Sequence, residues 1–124
     1  MISDKSRSPE FSSGSADRAD EELVLVLTTW PAGTSFDNLA DALVADRLAA
    51  CVSILPPHRS VYLWQGAIEH AEEQQVLLKS TRARLSALSQ AVHAAHPYDV
   101  PEWIVLNVSE VSEAYGRWML MLDA

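Results

Sequence analysis

Residues 96–102, HPYDVPE, place an imidazole, a phenol and two carboxylates beside two prolines within seven positions. Divalent metals accept imidazole and carboxylate ligands readily. His93 stands three residues before His96, a spacing at which two side chains share a helix face and two imidazoles can hold one ion between them. The alternative is a pair of solvated histidines at a helix C-terminus, where the dipole favours a protonated ring. Elsewhere, Tyr62 and Trp64 alternate, as rings do when they stack on a ligand or pack in an interface. Glu73 and Lys79 carry charges suited to a cross-strand or intersubunit ion pair. Cys51, the one cysteine, stands among apolar neighbours, which predicts a packed and inert thiol. A chain with four glycines offers no phosphate-cradling loop, and no Ser-His-Asp or Cys-His pair stands in a nucleophile motif. The residues therefore point to binding and not to an enzyme.

These side chains need elements to position them. Leu23 to Thr29 is a run of aliphatic and β-branched residues, a buried strand closed by Trp30, Pro31 and Gly33. Thr34 or Ser35 can cap a helix whose apolar positions Phe36, Leu39, Ala40, Leu43, Val44 and Leu48 share one face, which predicts helix to about Ala49. Cys51 to Leu55 reads as a strand that Pro56 and Pro57 interrupt and Val61 to Gln65 resumes, until Gly66 permits a turn. A third strand follows through Ser80, with a polar first half, AIEHAEEQQ, and an apolar VLL at 76–78. The tetrad EEQQ also suits a helix, but a helix there would leave the second strand without a hairpin mate.

Leu85, Leu88, Val92 and Ala95 mark a second amphipathic helix, which Pro97 ends at His96. Pro101 enforces extended backbone at Val100, and Glu102 leads into a fourth strand over Trp103 to Val108. HPYDVPE is thus first a bend between helix and strand. Ser112 caps a last helix with Tyr115, Trp118, Met119 and Leu122 on one face. The order β-α-β-β-α-β plus a C-terminal helix is that of an α+β, ferredoxin-like fold, a sheet covered on one face by two helices.

Helices of about 15 residues span roughly 22 Å, whereas strands of about 15 residues reach roughly 50 Å before twist and kink shorten them. The hairpin carrying Tyr62, Leu63, Trp64 and Ile68 therefore overhangs the helical layer. An isolated two-stranded ribbon is marginal in water, so the expectation is that other copies of the chain cover it, closing a ring. The alternative has the two prolines fold the ribbon back over the open face of its own sheet.

The 124 residues suit one hydrophobic core, expected over residues 23–124, after a disordered tail over residues 1–22 that holds six serines, mixed charge and almost no large apolar residue. A formal charge of −8, from 17 acidic against 9 basic residues, opposes docking on nucleic acid. The longest aliphatic run, LVLVL at 23–27, is too short for a membrane span. A lone cysteine and no secretory stretch predict a soluble protein of the cytoplasm.

Several segments together resemble the CutA divalent-cation tolerance family: LAAC at 48–51, SVYLWQG at 60–66, then Glu69, Glu73 and Gln75 before LLKST at 77–81, and HPYDVPE at 96–102. They do so in one ungapped register over about residues 23–122. The resemblance implies a homotrimer like that of PII signalling proteins, a role in copper or other divalent-metal tolerance, and no obligatory cofactor. It also implies a cleft between subunits, to which we assign Tyr62, Trp64, Glu73, Lys79, Tyr98 and Glu102. Its ligand would be a divalent cation or, in a PII-like sensor, a small anion. Copper binding in the family is linked to a cysteine in the first strand and to two adjacent histidines before Pro-Tyr. This sequence has Thr28 and Ala95 at two of those positions. His96 remains, and His93, Asp99 or symmetry-related copies would have to complete a metal site.

Overall fold

The structure, a computed structural model, describes residues 22–124. All but the last residue of the expected tail lies outside the described residues. Five strands, β1 (Leu23–Pro31), β2 (Cys51–Ile54), β3 (His58–Trp64), β4 (Ala67–Thr81) and β5 (Ile104–Asn107), form one sheet in the order β2-β4-β1-β5, with β3 also on β4. Every pairing is antiparallel. The helices are α1 (Asp37–Ala45), α2 (Leu85–Ala95) and α3 (Glu113–Leu120), and a 3-10 turn at Met121–Asp123 follows. Because β4 inserts between β1 and β2, the arrangement is the split βαβ of a ferredoxin-like fold. The segment EEQQ is strand, as the need for a hairpin mate requires.

Alternation along the strands separates two faces. Val24, Val26 and Trp30 of β1 and Val76 and Leu78 of β4 point to the helices and join Phe36, Leu43, Leu88 and Val92 in the main core. A smaller cluster gathers Leu23 and Met119, with Tyr115 and Trp118 against them, so α3 covers one end of the opposite face. The face of α3 expected to be apolar is the one that packs. Ser112 occupies its capping position with extended backbone, although its side chain makes no cap hydrogen bond.

Two helix lengths differ from expectation. α1 has 9 residues and α2 has 11, where about 15 are expected. α1 stops four residues before Ala49 because Arg47 takes a left-handed conformation, φ 60°. The Arg47 amide then donates to Val44 O at 3.0 Å and that of Leu48 to Leu43 O at 2.9 Å, which is the paired closure of a Schellman motif. Leu48 continues the helical apolar period because this closure also turns it inward. Capping at the other end comes from Ser35, whose Oγ accepts from the Asp37 amide at 3.1 Å.

Shorter helices make the overhang greater. β1 pairs with β4 from Glu73 to Thr81, with the Ala32 amide still donating to Glu72 O at 3.0 Å, and β2 pairs from Val76 to Lys79, so Ala67–Ala71 has β3 alone. At the kink, Leu55, Pro56 and Pro57 face only Gln74 and Gln75 between the paired positions Ile54↔Val76 and His58↔Glu73. That one extra residue is a bulge, and it redirects β3. The ribbon does not fold back over its own sheet: Leu63 is 71% exposed and Ile68 70%.

Candidate functional site

A cleft of about 660 Å³ opens where the ribbon leaves the sheet. Ser60, Tyr62 and Trp64 line one side, because alternate residues of β3 share a face. The hairpin holding them turns through Gln65 and Gly66, with φ 51° and 82°. Two consecutive residues of positive φ in a two-residue loop form the type of turn that matches strand twist. Thr29 of β1 and Glu73 and Gln75 of β4 form the floor, and Thr29 lies directly opposite Gln75. The segment from Pro97 to Glu102 is the remaining wall.

Polar contacts fix that wall to the sheet. The Tyr98 hydroxyl donates to Glu73 Oε2 at 2.8 Å. Burial, reinforced by the Glu73 carboxylate, raises the Tyr98 pKa, so the phenol remains a donor. Gln75 Nε2 donates to Thr28 O at 2.9 Å and to Glu102 Oε2 at 2.8 Å. Thr28 Oγ1 donates to Glu102 O at 2.7 Å, so both ends of Glu102 are held.

His96 anchors the same wall from behind. It follows α2 with extended backbone, φ −70° and ψ 131°, as a residue before proline must. Its Nε2 donates to Thr29 O at 2.7 Å, and its Nδ1 accepts from the Tyr98 amide at 3.1 Å. These two bonds require the neutral tautomer protonated on Nε2. Burial lowers the His96 pKa, and the bond to Thr29 opposes that in part. The ring meets Trp30 edge-on at 4.5 Å.

The expected metal ligands are not gathered into one site. Both nitrogens of His96 are engaged within the chain, by Thr29 O and the Tyr98 amide. His93 is exposed, with Nδ1 2.8 Å from Ser89 O and its ring 5.0 Å from that of Trp103. Asp99 faces the cleft instead. Among the described residues, no group of three or more His, Cys, Asp or Glu side chains could hold a metal ion. The copper site implied by resemblance therefore does not fit the described residues of a single chain.

Of the residues assigned to a cleft, Tyr62, Trp64, Glu73, Tyr98 and Glu102 come together, and Lys79 does not. Lys79 lies six residues from Glu73 on the same strand, too far for a pair within one chain. Its Nζ meets the Tyr115 hydroxyl at 3.1 Å, and that bond raises its pKa. Cys51, opposite Lys79 in register, is half-buried, with Sγ 3.8 Å from Ser53 Oγ. Sequence reasoning missed Thr29 and Ser60. The signal available for Thr29 was a polar TT pair ending an aliphatic strand, which in a hairpin sheet calls for polar partners such as QQ at 74–75.

Comparison with known proteins places this geometry in context. The family model described as CutA1 divalent ion tolerance protein matches residues 24–121. A divalent-cation tolerance protein CutA of Pectobacterium atrosepticum is 40% identical over 104 residues, covering 84% of this chain and 94% of its own. The solved structure of CutA from Synechococcus elongatus superposes with TM-score 0.76 at 42% identity, covering 84% of this chain and 92% of that one. The divalent cation tolerance protein of Thermus thermophilus superposes with TM-score 0.74 at 39% identity, covering 78% and 94%.

Proposed function

The chain belongs to the CutA1 divalent ion tolerance family, and from that premise we propose that it serves divalent-cation tolerance in the cytoplasm as a homotrimer, by binding and not by catalysis. Its contact with Cu²⁺ or other divalent cations is weak and made by the acidic surface, because the described residues of one chain assemble no tight ligand set. The observation that carries the assembly is the ribbon: Val61, Leu63 and Ile68 are each more than half exposed on strands whose own sheet ends at Glu73. Ile104 and Leu106, 45% and 44% exposed on β5, add apolar surface to the sheet that a neighbouring copy would cover. Sedimentation equilibrium tests this directly. The expected mass is that of three 13.6 kDa chains, and a folded single chain at micromolar concentration refutes the trimer. Titration calorimetry with Cu²⁺ is expected to give no tight, stoichiometric heat; tight uptake lost in His96→Ala would contradict the weak-contact reading.

A second reading is favoured by the cleft itself. Its rings and its buried carboxylate suit a PII-like sensor that binds a small ligand between ribbon and wall and passes that state to a protein partner. The ligand contacts Tyr62, Trp64 and Tyr98, and neighbouring copies close the cleft from outside.

A further inference from the structure

The cleft has three aromatic residues and three carboxylates, and among the described residues no basic side chain lines it. Glu73 is the informative member. It is 7% exposed, and its one partner among the described residues is the Tyr98 hydroxyl on Oε2. Oε1 meets no donor among the described residues and stays open to the cleft, where water or a ligand reaches it. A carboxylate with most of its surface withdrawn from water keeps little hydration, and a cation or further donors answer it best. Here a single phenol answers it, while Lys79 of the same strand is engaged by Tyr115. Glu102 is met by the neutral amide of Gln75 and not by a cation.

The geometry points to a small organic ammonium as the ligand of this cleft, its nitrogen donating to the open oxygen of Glu73 and its alkyl part lying on the rings of Tyr62 and Trp64. This rests on reading the cleft as a ligand site, and it narrows that reading by sign. Aromatic faces attract cations through their quadrupole, and N⁺–H bonds to carboxylate are among the stronger hydrogen bonds. Nucleotides and other anions would face like charge from Glu73, Asp99 and Glu102. A bare metal ion would need converging ligands that the described residues do not supply, whereas an alkylammonium needs one carboxylate and a ring. The volume falls within the range of about 300–1,000 Å³ for small-molecule sites.

Nuclear magnetic resonance titration of the full-length, isotopically labelled protein with n-butylammonium, 1-butanol and butyrate varies charge on nearly the same carbon chain. The Trp64 indole and Gln75 side-chain amide signals are expected to move saturably with n-butylammonium, at least about tenfold more tightly than with 1-butanol, and not with butyrate. Glu73→Gln should weaken n-butylammonium binding about tenfold, and Trp64→Leu should weaken it too, both compared with the parent at protein concentrations where sedimentation gives the same mass for all three. Equal responses to the cation and the alcohol overturn the inference. Binding of butyrate or ATP in place of the cation also overturns it, but leaves the cleft as a ligand site. No response to any of them overturns both, and means that the carboxylates are answered within the assembly.

Discussion

The two halves of β4 belong to one unbroken strand and live in different surroundings. From Val76 to Thr81 the strand has β1 on one edge, helices over one face, and Val76, Leu78, Ser80 and Thr81 all fully buried. From Ala67 to Ala71 it has β3 alone, and Ile68 is 70% exposed. The chain that built a core for the first half supplies none for the second. A strand half that cannot be covered from within is a surface offered to something else, and Glu73, where burial begins, is also where the cleft opens.

The largest test of this contrast compares equivalent truncations in the two halves. Leu78→Ala should lower unfolding stability by about 2–5 kcal/mol, because a core cavity remains where the leucine was. Ile68→Ala should act mainly through assembly, so that its effect grows as the protein is diluted. Urea denaturation at several protein concentrations separates the two. Equal, concentration-independent losses would abolish the distinction between the halves.

Next in size is the junction. Tyr98→Phe removes the one donor on Glu73 and leaves a buried carboxylate with none among the described residues, a loss of about 1.5–3 kcal/mol for a hydrogen bond to a charged group. Pairing it with Glu73→Gln in a double-mutant cycle sharpens the result, since the losses should not add. Additive losses would show that the wall is held by other contacts.

How far the sequence revealed these regions follows from how local their causes are. Strand and helix order, the kink at Pro56–Pro57 and the helix stop before Pro97 are legible because period, proline and glycine act within a few residues. The end of α1 is not, since a Schellman closure at an arginine keeps the apolar period running while the helix has already stopped. The aromatic wall of the cleft was readable from resemblance, and Tyr62, Trp64, Glu73, Tyr98 and Glu102 do meet. Lys79 lies outside the cleft of a single chain because six residues of strand separate it from Glu73; its assignment was to a cleft between copies. The histidine pair failed for another reason. Its spacing is helical only if His96 is helical, and its ring nitrogens were already committed to Thr29 and Tyr98.

A smaller effect probes the tip of the ribbon. Gly66 has φ 82° and no atom within 4 Å of where a Cβ would sit, so Gly66→Ala meets backbone strain alone. A cost of about 1 kcal/mol is expected, appearing as faster amide exchange in β3 and the first half of β4 while Val76–Thr81 stays protected. Loss of protection along the whole strand would mean that the halves unfold together.

The gentlest test is pH, and it acts at the foot of the buried half. Burial holds the His96 pKa below its ordinary value of about 6.5, so as pH falls through that value the unfolded chain takes up a proton that the native ring refuses. More protons on the unfolded state make stability decrease with falling pH in this window, and the decrease ends once pH drops below the native value. His96→Gln keeps an amide donor for Thr29 O and cannot titrate, so its stability curve should be flatter than that of the parent between pH 7.5 and 5. The slope should also be the same at high and low protein concentration, because His96 is anchored to its own chain's β1 and not to the ribbon. Curves that stay parallel for the two proteins would place the proton elsewhere, and a slope that steepens on dilution would make the His96 wall part of the intersubunit surface and move the boundary between the two regions back from Glu73 into the sheet.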